Sequence, residues 1–153
     1  IEVESAMEMH KAVNDLYKEC DILIMAAAVA DFTPKQKYDQ KIKNSSELTQ
    51  LELVPNPDIL KELGNIKRGD QILVGFALET DNELENAKKK IYEKNLDMII
   101  LNKLSNDNQM FGSEENEITI IDKTSKITRF EKAKKVDLAK RIVEQIPKIL
   151  IKS

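Results

Sequence analysis

Five stretches of this sequence carry residues of the kinds that do chemistry, and each has a plain structural explanation beside the chemical one. Ala26-Ala27-Ala28-Val29-Ala30-Asp31-Phe32 closes an apolar run. Small residues at a strand end let a flat ligand approach the backbone, with Asp31 at the sheet's rim; tight packing under a helix would select the same residues. Lys41-Ile42-Lys43 follows ten residues after Asp31. Lysines on a loop can close over phosphates and offset charge that develops in phosphoryl-type transfer, or can simply be solvated. Asn56-Pro57-Asp58-Ile59-Leu60 reads as a helix start, with Asn as N-cap and Pro preset for the first turn. Free amides there form an anion site. Asp58 opposes it unless a metal or a lysine offsets the charge, and an ordinary capped helix is the alternative. In Gly75-Phe76-Ala77-Leu78-Glu79-Thr80, Phe76 could stack on a base or pack in the core, and Glu79 could meet a metal or cap the next helix. Lys90 and Lys94 stand one turn apart beside the apolar positions Leu84, Ala87 and Ile91.

Other chemistries find little material. His10 is the sole histidine, which leaves a histidine metal cluster or a Ser-His-Asp triad without parts. Cys20 precedes an apolar run and reads as a core thiol; one cysteine also excludes an internal disulfide and suits a reducing cytoplasm. Neither G-x-G-x-x-G nor G-x-x-x-x-G-K-[ST] occurs, which weakens an NAD(P) oxidoreductase or P-loop reading. The 153 residues are 41% hydrophobic and 33% charged with net charge -3, enough for one sizeable core and without a nucleic-acid footprint. The longest apolar run, residues 22–30, is about half a bilayer span. No secretory leader pattern opens the chain.

The elements that must position these residues follow from periodicity. Residues 1–4 read as a strand end, and Ser5 with Glu8 forms a capping box opening a helix to about residue 19. Residues 21–29 suit a strand buried on both faces of a parallel sheet. Residues 31–47 read as a long exposed loop, 48–54 as a strand, and 56–64 as a short helix. A buried strand at 71–77, a helix at 81–95 and a strand at 97–101 come next, then a polar loop at 102–116 around Phe111-Gly112. Strands at 117–122 and 126–130 read as a hairpin. A last helix, 133–146, turns Val136, Ala139, Ile142, Val143 and Ile146 inward until Pro147 ends or kinks it. Alternating strands and helices predict a Rossmann-like three-layer α/β sandwich, with a mostly parallel sheet and a C-terminal β-hairpin. Its ligands belong beyond the strand ends at Ala30, Ala77 and Leu101.

In order along the chain, these segments resemble the phosphopantothenoylcysteine synthetase (phosphopantothenate–cysteine ligase) family. Ala27-Ala28-Val29-Ala30-Asp31-Phe32 resembles its AAVADF/Y signature, and Lys41-Ile42-Lys43-Asn44 its KIKK loop with Asn in the last place. Asn56-Pro57-Asp58-Ile59-Leu60 resembles NPDIL, and residues 75–80 resemble GFAAET with Leu78 for the second Ala. Lys94-Asn95-Leu96-Asp97 with Asn102 resembles KnlD…N, and Phe111 with Asn116 a late F…N element. The likeness spans residues 9–122 or so, and the order of the pieces makes it specific.

The resemblance implies a ligase that activates the phosphopantothenate carboxylate with CTP, releases pyrophosphate, and lets the cysteine amine attack the acyl-cytidylate. It implies that Met25, Ala26, Ala27 and Asp31 hold the nucleotide. Pro57, Asp58, Ile59, Leu60 and Phe76 would line its pocket, with Lys90 and Lys94 meeting it from the helix. Lys41 would be the catalytic loop lysine; Mg²⁺ would accompany the triphosphate, its protein ligands unassigned. A cytoplasmic homodimer is implied, fused in many bacteria behind a flavin-dependent decarboxylase. The family's N-terminal strand and Gly/Ser-rich loop have no counterpart here, so the expectation is a single ligase domain over residues 1–153, incomplete at its N-terminus and weak in turnover alone. A non-catalytic nucleotide-binding or dimerisation module on the same fold is the alternative. The residue reading and the resemblance differ at Lys94, since a dozen residues into a helix is roughly 18 Å from its N-terminal rim.

Overall fold

The computed structural model describes residues 1–36, 50–79, 81–102 and 114–150, of Leu150 the backbone alone. Helix α1 (Ala6–Tyr17) opens as the sequence dictates: the Ser5 hydroxyl accepts from the Glu8 amide at 3.2 Å, and the Glu8 carboxylate accepts from the Ser5 amide at 3.1 Å. Strand β1 (Ile22–Met25), β2 (Phe32–Pro34) and β3 (Leu53–Pro55) follow, then α2 (Ile59–Ile66), β4 (Ile72–Leu78), α3 (Glu83–Glu93) and β5 (Met98–Asn102). The hairpin β6 (Glu115–Asp122) and β7 (Ile127–Lys134) leads into α4 (Lys135–Leu150).

The main sheet has the order β1-β4-β5-β6-β7. β1, β4 and β5 are parallel, and β6 alone is reversed, antiparallel to both neighbours. The hairpin therefore extends the same sheet. Alternating side chains feed two cores. Leu73, Ile99 and Leu101 join Tyr17, Leu63, Ala87 and Ile91 under α1, α2 and α3. Val74, Met98 and Ile100 join Leu138, Ile142, Ile146 and Ile149 under α4. Helices cover both faces, the three layers expected.

Several boundaries differ from the sequence expectation. Residues 1–4 form no strand; Ile1 is 91% exposed, no described strand pairs with them, and the Glu4 amide donates to the Glu8 carboxylate at 2.8 Å. β1 is four residues long and lies at the sheet edge, with Ile22 and Ile24 exposed by 44% and 39%, where burial on both faces was expected. An apolar run cannot report how many strands will flank it. Part of the expected loop at 31–47 is β2, which pairs antiparallel with β3 in a separate ribbon; the expected strand at 48–54 shortens to β3 and stays out of the main sheet. α4 continues through Pro147 to Leu150, and its buried stripe is Leu138, Ile142, Ile146 and Ile149, while Ala139 is exposed and Val136 and Val143 are 67% and 57% exposed. Pro147 and Val143 both face solvent, so the carbonyl that loses its amide partner remains open to water.

Asp97 is the electrostatic tie at the opposite end of β5. It is 3% exposed and accepts from Lys67 Nζ at 2.8 Å, Lys123 Nζ at 3.2 Å and the Leu73 amide at 2.9 Å. Tyr17 is buried nearby, its hydroxyl without a hydrogen-bond partner among the described residues. Burial, and then the Asp97 carboxylate, raise its pKa above the ordinary 10.0. The unfolded chain thus ionises first, and the stability Tyr17 contributes is complete below pH 10 and lost as pH rises beyond it. Melting curves from pH 7 to 11 should show Tyr17→Phe equal to or above wild type at pH 7, and shallower in its alkaline decline. Parallel declines would contradict this.

Candidate functional site

β1, β4 and β5 are parallel, and beyond their carboxyl ends lies a cavity of about 300 Å³. Its first wall is Met25 at the end of β1 and the backbone of residues 26–31, which leave the ladder so that three alanines in a row present little more than peptide. Asn56 clips this wall to the second: its side-chain amide donates to Ala30 O and its backbone amide to Asp31 O, both at 2.8 Å. Asn56 is therefore not the helix cap expected of it. Asp58 caps α2 instead, its Oδ1 accepting from the Lys61 amide at 3.2 Å.

Pro57, Asp58, Ile59 and Leu60 form the second wall, and Phe76, Ala77 and Leu78 line the cavity at the end of β4. Phe76 meets both readings, lining the cavity and packing on the α4-side core. Asn102 at the end of β5 completes this side, its Oδ1 accepting from Asn116 Nδ2 at 3.0 Å. The third wall is Lys90 and Lys94 on α3.

Lys94 reaches the cavity despite its distance along the helix. Gly64 lets α2 lie against the end of α3, since a Cβ there would come 2.0 Å from Lys94 O. Asp58 stands six residues before Gly64, about 9 Å along α2. Side chains tilt toward a helix N-terminus, so the lysine stem spans that gap, and Lys94 Nζ pairs with Asp58 Oδ2 at 2.8 Å. The axial distance ignored the reach of the side chain. Lys94 thereby offsets the Asp58 charge at the start of α2. Lys90 pairs with Glu79, which accepts from Asn86 Nδ2 at 3.2 Å on its other oxygen, so Glu79 neither caps α3 nor joins a metal cluster.

All the expected nucleotide-holding residues, Met25, Ala26, Ala27, Asp31, Pro57, Asp58, Ile59, Leu60, Phe76, Lys90 and Lys94, line this one cavity. Lys41, Lys43, Asn44, Thr80 and Phe111 lie outside the described residues. The sequence reading missed the clip role of Asn56 and the placement of Asn102, although the strand end at Leu101 pointed to the latter. His10 is elsewhere, bonded to Glu62 at 2.6 Å between α1 and α2. Among the described residues no group of three His, Cys, Asp or Glu side chains could hold a metal ion, and no helix is long and apolar enough to cross a membrane.

Residues 1–150 match the DNA/pantothenate metabolism flavoprotein C-terminal domain family. The chain belongs to this family. A relative from an unknown prokaryotic organism, named cysteine/cysteine sulfinic acid decarboxylase, is 51% identical over 95% of the chain. The Coenzyme A biosynthesis bifunctional protein CoaBC of Bacillus subtilis (strain 168) is 42% identical over 95%. The chain spans 41% and 36% of these two proteins. A crystal structure of the C-terminal domain of a Coenzyme A biosynthesis bifunctional protein CoaBC superposes with a TM-score of 0.78 at 35% identity, over 100% of this chain and 68% of that one. The motif order thus led to the right family: this domain is the C-terminal part of bifunctional CoaBC relatives, and the fold is the Rossmann-like α/β sandwich seen in that domain.

Proposed function

We propose that this DNA/pantothenate metabolism flavoprotein C-terminal domain serves coenzyme A biosynthesis as a phosphopantothenate–cysteine ligase, with CTP in the cavity beyond β1, β4 and β5. The observation that carries the reading is the convergence of every described residue the resemblance implies on one cavity, from four separate stretches of chain. The alanine backbone at 26–30 suits a flat base, while Lys90 and Lys94 suit phosphate oxygens as charge-assisted donors. The substrate carboxylate attacks the α-phosphorus, pyrophosphate leaves, and the cysteine amine then attacks the acyl carbon and displaces CMP. Lys41 would close over the reacting groups.

Mg²⁺ would ride on the triphosphate and offset its charge, as it is commonly held by substrate phosphates plus one or two carboxylates. Asp31 fits that part, being exposed at the cavity with no ion pair among the described residues, whereas Asp58 and Glu79 are each paired with a lysine. The same reading carries a cytoplasmic homodimer and fusion to a flavin-dependent decarboxylase in the longer protein.

Lys94→Gln is expected to weaken CTP binding by about tenfold or more, the value of a charge-assisted hydrogen bond. Calorimetric titration with CTP and Mg²⁺ measures it; equal affinity in wild type and variant would remove Lys94 from the site. Failure of wild type to bind, with an intact dimer, would favour the non-catalytic dimerisation module. The decarboxylase name of the 51% identical relative supports a second reading, in which the longer protein acts on cysteine or cysteine sulfinic acid. Ligation product from phosphopantothenate, cysteine and CTP decides for the ligase; CO₂ released without CTP decides against it.

A further inference from the structure

Each cavity lysine is tied to a carboxylate on another element: Lys94 to Asp58, and Lys90 to Glu79. The second pair is unequal. The Glu79 side chain is 14% exposed and is held on its far oxygen by Asn86, itself fixed by a bond to Asp81 O at 3.0 Å. The Lys90 side chain is 40% exposed on a flexible four-carbon stem. When the pair opens, the lysine is the partner that moves.

We propose that Glu79 is a built-in competitor for Lys90. It holds the ammonium when the cavity is empty, yields it to an incoming phosphate, and reclaims it as the phosphate product leaves. It acts through Lys90 and so sets how tightly the cavity grips phosphate and how quickly it lets go. The inference rests on the reading of Lys90 as a phosphate-binding residue. Asp58 stands in the same relation to Lys94 but also caps α2, so substituting it would loosen that helix. Glu79 takes no helix-cap bond among the described residues, and glutamine fills its space without its charge.

Glu79→Gln is expected to tighten binding of inorganic pyrophosphate by about tenfold, since the anion no longer has to draw the Lys90 ammonium away from a carboxylate. In ligase turnover of the intact protein, kcat and KM should fall together, the sign of slower product release. In a Lys90→Gln background, Glu79→Gln should leave pyrophosphate affinity unchanged. Weaker or equal binding in the single variant overturns the proposal, as does equal tightening in the Lys90→Gln background, which would make Glu79 a general source of negative field. If wild type binds CTP while Glu79→Gln leaves pyrophosphate affinity unaltered, this inference alone fails. If neither protein binds CTP or pyrophosphate, the ligase reading fails with it.

Discussion

Gly64→Ala should cost about 3 kcal/mol and lower the melting temperature by about 10 °C, a large penalty for one methyl group. The added carbon would come 2.0 Å from Lys94 O and 2.8 Å from Lys94 C, backbone atoms that cannot swing aside. α2 and the end of α3 must separate, and Asn95 then loses its 2.9 Å bond to Gly64 O. The separation also pulls Asp58 from Lys94, so CTP affinity should fall even at temperatures where the variant is folded. Thermal melting with a titration at 15 °C reads both. A melting temperature within two or three degrees of wild type would contradict the packing described.

Asp97→Ala should be the most damaging single substitution, with a loss of about 3–5 kcal/mol in urea unfolding. It strands Lys67, whose side chain is 10% exposed, and orphans the Leu73 amide inside the sheet. Because that cost comes from the charge left behind, removing the partner as well should recover part of it. Lys67→Met combined with Asp97→Leu is expected to be more stable than Asp97→Ala. A loss under 1 kcal/mol for Asp97→Ala would show that the network adds little.

These two positions show where the sequence was legible and where it was not. Asp97 was quoted only as part of a motif, because nothing in a sequence marks a carboxylate as buried until its three donors, from distant elements, are in place. Gly64 was read as the end of a short helix, although its function is a close approach to the backbone at the end of α3, thirty residues away. The capping box at Ser5 and Glu8 was readable because both partners lie within one turn. The α4 stripe was read correctly at Ile142 and Ile146 and misplaced at its other positions for the opposite reason: Val136, Ala139 and Val143 recur at helical spacing as well as Leu138, Ile142 and Ile149 do. Periodicity alone cannot choose between two apolar stripes, and packing against Met98 and Ile120 did. The stretches at 26–31, 56–60 and 75–80 were legible as candidates because small and capping residues sat at strand and helix ends, where topology gathers them; their nucleotide roles, and the place of Lys90 and Lys94, came from the family resemblance. Asn56 shows the limit, as its side chain clips two walls together instead of capping the helix beside it.

The proposed ligase requires that stretches distant in the chain make one triphosphate cavity. Backbone amide chemical shifts, followed by NMR during titration with CTP and Mg²⁺, test it most directly. The expected result is saturable shifts confined to residues 25–31, the first turn of α2, the ends of β4 and β5, and the α3 positions Lys90 and Lys94. Shifts centred instead on the opposite end of the sheet, at Lys126, Gln145 and Lys148, or no saturable shift at all, would contradict the account.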